Sequence, residues 1–159
     1  MGDLATPQAL LHRWEELQHD PALRALPYKT ELNARGKVEM SPASVRHGQL
    51  QAALAAEFAR QLDNGVTVTE CPLLTSIGVR VPDLAWASAD FMSRHAGMSP
   101  LPRAPEIADK TRAYLLAGAQ EVWLVSEEGK ISYLDGAGEK ARSSFPISAT
   151  LPDPTKGYP

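Results

Sequence analysis

The stretch Val81-Pro82-Asp83-Leu84-Ala85-Trp86-Ala87 decides the fold prediction, because a proline and an aspartate lead directly into an apolar run. Short apolar runs of this kind are typical of buried strands. Further along the chain, Lys110 lies near the start of a helical pattern at 109–117, and a second apolar strand is predicted at 121–126. Strands and helices in this succession predict a sheet with helices packed against it.

The N-terminal half adds two helices and a hairpin. Thr6-Pro7 begins a predicted helix that ends at Asp20-Pro21, and the residues from 29 to 40 predict a hairpin with its turn near Gly36. The longest helix is predicted to begin at Ser41-Pro42 and to end at Asp63-Asn64-Gly65. Its apolar stripe consists of Leu50, Leu54, Phe58 and Leu62.

Several short strands complete the prediction. The runs at 66–70, 73–77 and 79–86 predict a meander, a helical turn is expected at 89–94, and a last strand is expected at 131–134. The predicted class is therefore α/β or α+β, with a mixed sheet flanked by helices.

The length of 159 residues suits one ordinary domain, which hides roughly two-thirds of its extended surface. We expect this domain to cover 1–145. The prolines at 146, 152, 154 and 159 predict that 146–159 is a proline-rich tail that frays.

Composition indicates a cytoplasmic protein that does not enter a membrane. The N-terminus has neither a basic nor an apolar leader region, and no apolar run approaches the roughly 20 residues that span a bilayer. The single cysteine, Cys71, excludes an internal disulfide and is expected to be a packed hydrophobe. A net charge of -3 argues against a pure DNA-binding module, but less against a nuclease whose bound metal reverses the local field.

Asp83 and Lys110 are the first candidates for chemistry. Mg²⁺ requires rigidly held carboxylate oxygens, and a nearby ammonium can orient a water or balance the charge that grows on a phosphate. Each residue also fits a simpler role, since Asp83 suits a strand start and Lys110 suits a solvated helix. A lysine in the first turn opposes the helix dipole, which favours a functional reason for its presence.

Four motifs carry a resemblance to a known family. In chain order they are Tyr28-Lys29-Thr30-Glu31-Leu32 through Gly36, Met40-Ser41-Pro42 with His47, Val79-Arg80-Val81-Pro82-Asp83-Leu84, and Lys110-xxx-Tyr114-xxx-Gly118-Ala119-xx-Val122-Trp123. Over about residues 10–135 the chain resembles the Uma-two (Uma2) family of restriction endonucleases, within the PD-(D/E)XK nuclease superfamily.

The resemblance implies a restriction-endonuclease-like core that hydrolyses DNA with Mg²⁺ or Mn²⁺. It implies that Asp83 binds the metal and that Lys110 is the catalytic lysine, moved from a strand onto the following helix. Glu31 would be the acidic catalytic residue from the hairpin, and His47 would lie on the substrate side. A homodimer is a further expectation.

One departure from the family pattern concerns the second metal-binding carboxylate. Similar proteins continue into a strand ending Glu-Val-x-Ser-Pro, but here Pro105-Glu106-Ile107 runs directly into Ala108-Asp109-Lys110. The four residues between Pro105 and Lys110 are too few for a strand of roughly five to six residues and its connection. Either a segment is missing from this sequence, or the chain is a natural remnant of the fold, or Glu106 or Asp109 replaces the lost metal ligand.

Two functions therefore stay open: a metal-dependent endonuclease, and a non-catalytic remnant that serves binding or dimerisation. In both cases we expect Asp83 and Lys110 to face one cleft, with Glu31 close enough to share a metal or its water. We also expect a defect between Ile107 and Ala108, seen as a chain break or a missing central strand.

Overall fold

The computed structural model describes residues 3–98 and 110–153 and confirms the α+β class. The helices are α1 (Pro7–His19), α2 (Pro21–Arg24), α3 (Val45–Gln61), α4 (Ala89–Arg94) and α5 (Lys110–Leu116). The strands are β1 (Tyr28–Asn33), β2 (Val38–Pro42), β3 (Gly65–Thr69), β4 (Leu73–Thr75), β5 (Gly78–Arg80), β6 (Leu84–Ser88), β7 (Val122–Val125), β8 (Ile131–Asp135) and β9 (Gly138–Lys140).

The hydrophobic core lies between α1 and the first sheet, in which the strand order is β2-β1-β5-β4. The Thr6 hydroxyl caps α1 by accepting a hydrogen bond from the Ala9 N–H at 3.2 Å. The apolar face of α1 packs on Leu32 and Val79, both completely buried. The predicted first helix and hairpin are therefore confirmed, and this packing fixes the position of β1.

The region 66–86 is not the simple meander that the sequence predicts. Among the described residues, β3 pairs with β6 in a second sheet, whereas β4 and β5 join the first sheet. Gly78, the first residue of β5, allows β5 to pair closely with β1, because its φ of +117° favours glycine and a Cβ there would lie 2.0 Å from the Leu32 carbonyl oxygen. The predicted strand 79–86 accordingly divides after Arg80 and resumes at Leu84.

The remaining strands form a third sheet in the order β7-β8-β9, and every pairing between described strands is antiparallel. The predicted mixed sheet is thus replaced, in this part of the chain, by three antiparallel sheets. The class prediction rests on the mixture of helices and strands and is unaffected.

The longest helix, α3, begins slightly later than the sequence predicts. Pro42 ends β2, and the N-cap is Ser44, whose hydroxyl accepts a hydrogen bond from the His47 N–H at 3.0 Å. The predicted apolar stripe is confirmed, with Leu50 and Leu54 buried. Asn64, at φ +55°, lies in the turn between α3 and β3.

The described part of the predicted proline-rich tail contacts α3. The Gln61 amide donates to the Ser148 carbonyl at 2.8 Å and accepts from the Ser148 N–H at 2.9 Å. Arg46 donates to the Pro152 carbonyl at 2.5 Å. The domain limits stay a prediction, and the residues from 154 onward lie outside the described ranges, as does the Ile107–Ala108 junction.

Candidate active site

A cleft of about 780 Å³ lies among α3, β6, α5 and β7. Asp83 and Lys110 both line it, as the sequence predicts, and His47 lines it as well. Lys29 of β1 is a further cleft residue. We call this space the Asp83 cleft, and it brings together four ionisable side chains that lie far apart in the sequence.

Asp83 is both fixed and accessible. Its carbonyl accepts hydrogen bonds from the Glu70 N–H at 3.2 Å and from the Gln51 amide at 2.6 Å, which hold the backbone where β6 begins. Its Oδ1 atom accepts a hydrogen bond from Lys29 Nζ and lies 3.2 Å from His47 Nε2. The side chain is 41% exposed, so a ligand in the cleft can reach the carboxylate.

Glu31 is buried, and the described residues engage both of its carboxylate oxygens. Oε1 accepts from the Val81 N–H at 2.8 Å, while Oε2 accepts from Arg80 at 3.2 Å and from Lys110 Nζ at 2.6 Å. Burial alone would raise the pKa of Glu31, but the hydrogen bonds from Lys110 and Val81 and the nearby positive charges outweigh it and lower the pKa. The geometry makes Glu31 an anchor for Lys110, and its predicted sharing of a metal with Asp83 stays a prediction.

Lys110 is the first residue of α5 and keeps half of its side chain exposed, at 52%, despite its ion pair with Glu31. An ammonium has three N–H donors, so one contact with a carboxylate leaves donors for a ligand. The same reasoning applies to Lys29 beside Asp83. The two lysines can therefore stabilise negative charge in the cleft while they remain held in place.

Arg80 is a site residue that sequence reasoning missed. Glu31 and Glu39 are direct neighbours across β1 and β2, an arrangement that two like charges normally oppose. Arg80 bridges them, with Nη1 at 3.2 Å from Glu31 and 2.5 Å from Glu39. Its hydrogen bond to Glu39 lowers the pKa of that carboxyl group.

Lys29 and Tyr114 were also missed, although the spacing contained a signal for each. Lys29 lies two residues before Glu31 and therefore on the same face of β1. Tyr114 lies four residues after Lys110 and lines the same cleft. Burial, with the charges of Glu31 and Asp83, raises the pKa of Tyr114, so its hydroxyl stays protonated and can act as a donor.

The described residues do not by themselves fit a divalent metal. Within 3–98 and 110–153, no three His, Cys, Asp or Glu side chains converge in a way that could hold an ion. The Oδ1 atom of Asp83 already pairs with Lys29, and Glu31 has both oxygens engaged. The candidates Glu106 and Asp109 lie outside the described residues, so their proposed part in metal binding remains a prediction.

Two further properties bear on the class of protein. No described helix is long and apolar enough to cross a lipid bilayer. Cys71 is buried, and burial raises the pKa of its thiol, which opposes a role as a nucleophile.

Comparison with known proteins agrees with the motif order. Residues 14–137, well over half of the chain, match the Uma2 family, described as "Putative restriction endonuclease". A search of the curated proteins finds no match. The chain belongs to the Uma2 family.

Proposed function

We propose that this protein is an endonuclease of the restriction type that binds a DNA phosphodiester in the Asp83 cleft but cleaves it poorly, because the described residues supply no second metal-binding carboxylate. The observation that carries the proposal is the meeting of Asp83, Lys29, His47 and Lys110 in one cleft. Family membership supports a nuclease-like function in general terms. The cytoplasmic location and the homodimer remain predictions from the sequence.

The proposed substrate contacts follow from charge and exposure. Lys29 and Lys110 would donate hydrogen bonds to phosphate oxygens, and His47, which is 46% exposed, would contact the same group from α3. Tyr114 would add a neutral donor. Each cleft lysine is paired with a carboxylate, and the chain as a whole carries a net charge of -3. Affinity therefore depends on the hydrogen-bond donors of the cleft and not on a broad basic surface.

Asp83 is the carboxylate best suited to the hydrolytic step. It is exposed to the cleft, whereas Glu31 is held by Arg80 and Lys110 and would act by positioning Lys110. The resemblance implies Mg²⁺ or Mn²⁺ at Asp83, but the described donor set lacks the further carboxylates that such an ion requires. We therefore expect DNA binding to exceed DNA cleavage in this chain.

The second candidate is a non-catalytic binding domain that retains the nuclease fold. The engaged oxygens of Glu31, together with the ion pair of Asp83 and Lys29, favour it. The two candidates share the phosphodiester-binding cleft and differ only in hydrolysis.

Fluorescence anisotropy with a labelled DNA duplex tests the shared cleft. We expect Lys29→Ala and Lys110→Ala each to weaken binding by about 1 kcal/mol, as for a lost phosphate contact. Each should also lower by about one the number of counterions released on binding, which is read from the slope of log K against log salt concentration. Lys130→Ala is the matched control, since Lys130 is exposed and is not among the residues that line the cleft. Equal effects from all three variants would reject the cleft as the binding site.

Nicking of supercoiled plasmid then separates the two candidates. Cleavage that requires Mg²⁺ or Mn²⁺ and is lost in Asp83→Asn identifies the endonuclease. Cleft-dependent binding without any nicking identifies the binding domain.

A further inference from the structure

Two short connections between the first and second sheets meet at Asp83. One connection runs from β3 through Glu70 to β4, and the other leaves β5 after Arg80 and enters β6 at Leu84. The Glu70 N–H donates a hydrogen bond to the Asp83 carbonyl at 3.2 Å, just beyond the last β3–β6 pair, Thr69 with Leu84. Glu70 therefore contacts the backbone that carries the candidate site.

Glu70 has an unusual backbone conformation for a residue with a side chain. Its φ is +50°, in the left-handed region that glycine adopts readily and that costs energy for residues with a Cβ atom. The turn falls at this residue because Pro72 restricts Cys71 to extended conformations. A glycine at position 70 would make the same turn without the steric cost. The contacts of the glutamate side chain supply a reason for its presence.

Gln51 of α3 links the Glu70 side chain to Asp83. Its amide Nε2 donates one hydrogen bond to the Asp83 carbonyl at 2.6 Å and another to Glu70 Oε1 at 3.0 Å. A primary amide has two N–H groups, so both are used. The Asp83 carbonyl has two lone pairs, and the N–H groups of Gln51 and Glu70 occupy both. These three residues form a closed hydrogen-bonded triangle, which we call the Asp83 brace.

The Asp83 brace uses the helix face that also carries His47. His47 and Gln51 are four residues apart on α3, and side chains at this spacing lie on one face of a helix. His47 Nε2 lies 3.2 Å from the Asp83 carboxylate, while Gln51 holds the carbonyl of the same residue. The helix therefore contacts Asp83 at both its side chain and its backbone. Movement of Asp83 would disturb His47 and also Lys29, which pairs with the same carboxylate.

We propose that Glu70 is a positioning residue for Asp83. Its carboxylate fixes the Gln51 amide, and Gln51 in turn fixes the Asp83 carbonyl. The Asp83 carboxylate is thereby held against Lys29 and His47. Glu70 is not among the residues that line the Asp83 cleft, so we expect it to act through Gln51 without touching DNA. The expected effect on DNA binding rests on the proposed function, whereas the expected effect on His47 does not.

Glu70→Gly separates positioning from stability, because it removes the carboxylate and also the steric cost of the positive φ. Its thermal unfolding midpoint should not be lower than that of the wild type. Its affinity for the labelled DNA duplex should nevertheless fall about fivefold, as for one lost hydrogen bond. Glu70→Gln retains an oxygen that can accept from Gln51, and it should restore most of this affinity.

Asn64→Gly is the matched control. Asn64 is the other described residue that is not glycine and has a positive φ, at +55°. It lies beside Gly65, at the opposite end of the β3–β6 pairing from Glu70. The same backbone change there should leave the DNA affinity unchanged. Equal losses of affinity in Asn64→Gly and Glu70→Gly would overturn the proposal.

The ring of His47 gives a readout that does not require DNA. In ¹H–¹⁵N NMR spectra of the histidine side chains, the His47 signals are identified by their absence in His47→Gln. Because the Asp83 carboxylate lies 3.2 Å from His47 Nε2, we expect these signals to shift in Glu70→Gly. They should keep their positions in Asn64→Gly. If the His47 signals are the same in Glu70→Gly as in the wild type, the proposal is wrong.

A double variant tests whether Glu70 acts through Gln51. If it does, Gln51→Ala should lower the DNA affinity, and adding Glu70→Gly to Gln51→Ala should lower it little further. If the two losses instead multiply in the double variant, Glu70 does not act through Gln51 and the proposal fails.

Failure of the proposed function would give a different result. If Lys29→Ala and Lys110→Ala bind DNA as the wild type does, the cleft is not the DNA site, and a shift of the His47 signals in Glu70→Gly would still support the positioning role. If the lysine variants lose affinity while Glu70→Gly does not, the positioning role alone is rejected. A lower unfolding midpoint in Glu70→Gly, or a failure to fold, would assign Glu70 a structural role and would also overturn the proposal.

Discussion

Lys29 and Asp83 form an ion pair that joins β1 to the start of β6, although 54 residues separate them in the sequence. The pair holds the exposed carboxylate of the candidate site in a fixed direction. Lys29→Met should release that carboxylate and weaken DNA binding while it retains the apolar stem that packs in the cleft. Anisotropy titration of Lys29→Met and Lys29→Arg tests this, since arginine should preserve binding; equal losses would show that the ion pair has no positioning role.

Glu31 should be the most sensitive carboxylate for stability. Glu31→Gln removes one of the two carboxylates that compensate Arg80, whose side chain is only 9% exposed. Because Glu39 still pairs with Arg80, we expect a loss of stability below the roughly 3 to 5 kcal/mol of a fully broken buried pair. In urea unfolding, the midpoint urea concentration should be lower, and the slope of the unfolding free energy against urea concentration should be unchanged. Glu15→Gln, on the exposed surface of α1, is the control and should not shift the midpoint. A Glu31→Gln midpoint equal to that of the wild type would mean that Glu39 alone compensates Arg80.

Acid should weaken the third sheet through Glu121. This carboxylate accepts hydrogen bonds from Lys140, Ser143, the Ser144 N–H and Trp123. Burial opposes ionisation, but these donors outweigh it and lower the pKa of Glu121 to about 2 from 4.5. A depressed pKa stabilises the fold fully above about pH 4.5, and that stability is lost as the pH falls toward 2.

The size of this effect is on the order of 3 kcal/mol for Glu121. Glu121→Gln should therefore be less stable than the wild type at neutral pH and should show a flatter loss of stability between pH 4.5 and 2. Thermal unfolding followed by circular dichroism across this range gives the measurement. If the unfolding temperatures of the two proteins fall in parallel as the pH is lowered, Glu121 is not the cause of the acid destabilisation.

Metal binding should be weak in the chain as it stands. One exposed aspartate with surrounding water is a poor site for Mg²⁺, which dehydrates reluctantly, and the loss of a second carboxylate also removes a group that would position the attacking water. Calorimetric titration with Mn²⁺ should give at most millimolar affinity, and plasmid nicking should be negligible. Metal-dependent nicking that disappears in both Asp83→Ala and Lys110→Ala would instead show that Glu106, Asp109 or Glu31 supplies the missing ligand.

The encoding gene separates the two accounts of the missing strand. If it continues from Ile107 into a Glu-Val-x-Ser-Pro segment before Ala108, a strand has been lost from this sequence and restoring it should raise Mn²⁺ affinity. If Ile107 and Ala108 are adjacent codons, the chain is a natural remnant.

Local sequence patterns predicted where the helices and strands lie better than they predicted which strands pair with each other. The Thr6-Pro7 start of α1, the hairpin at Gly36 and the stripe of α3 depend on neighbours within a few residues, and the structure confirms them. The separation of β4 and β5 from β3 and β6 depends on contacts with Leu32 and α1, which no local pattern contains.

In the candidate site, too, some residues could be predicted from the sequence, whereas others depend on contacts between distant strands. The motif order predicted that Asp83 and Lys110 face one cleft, which is what the structure shows. Arg80 could not be assigned from its position, because its role arises only when Glu31 and Glu39 meet across two strands. The partner of Lys29 likewise depends on the approach of β6 to β1.

The ion pair between Glu31 and Lys110 has an evolutionary consequence. Lys110 is the first residue of α5, and its ammonium is attached to β1, so the start of the helix is fixed independently of the chain that precedes it. Codons can then be gained or lost between Met98 and Lys110 without displacing the lysine from the cleft.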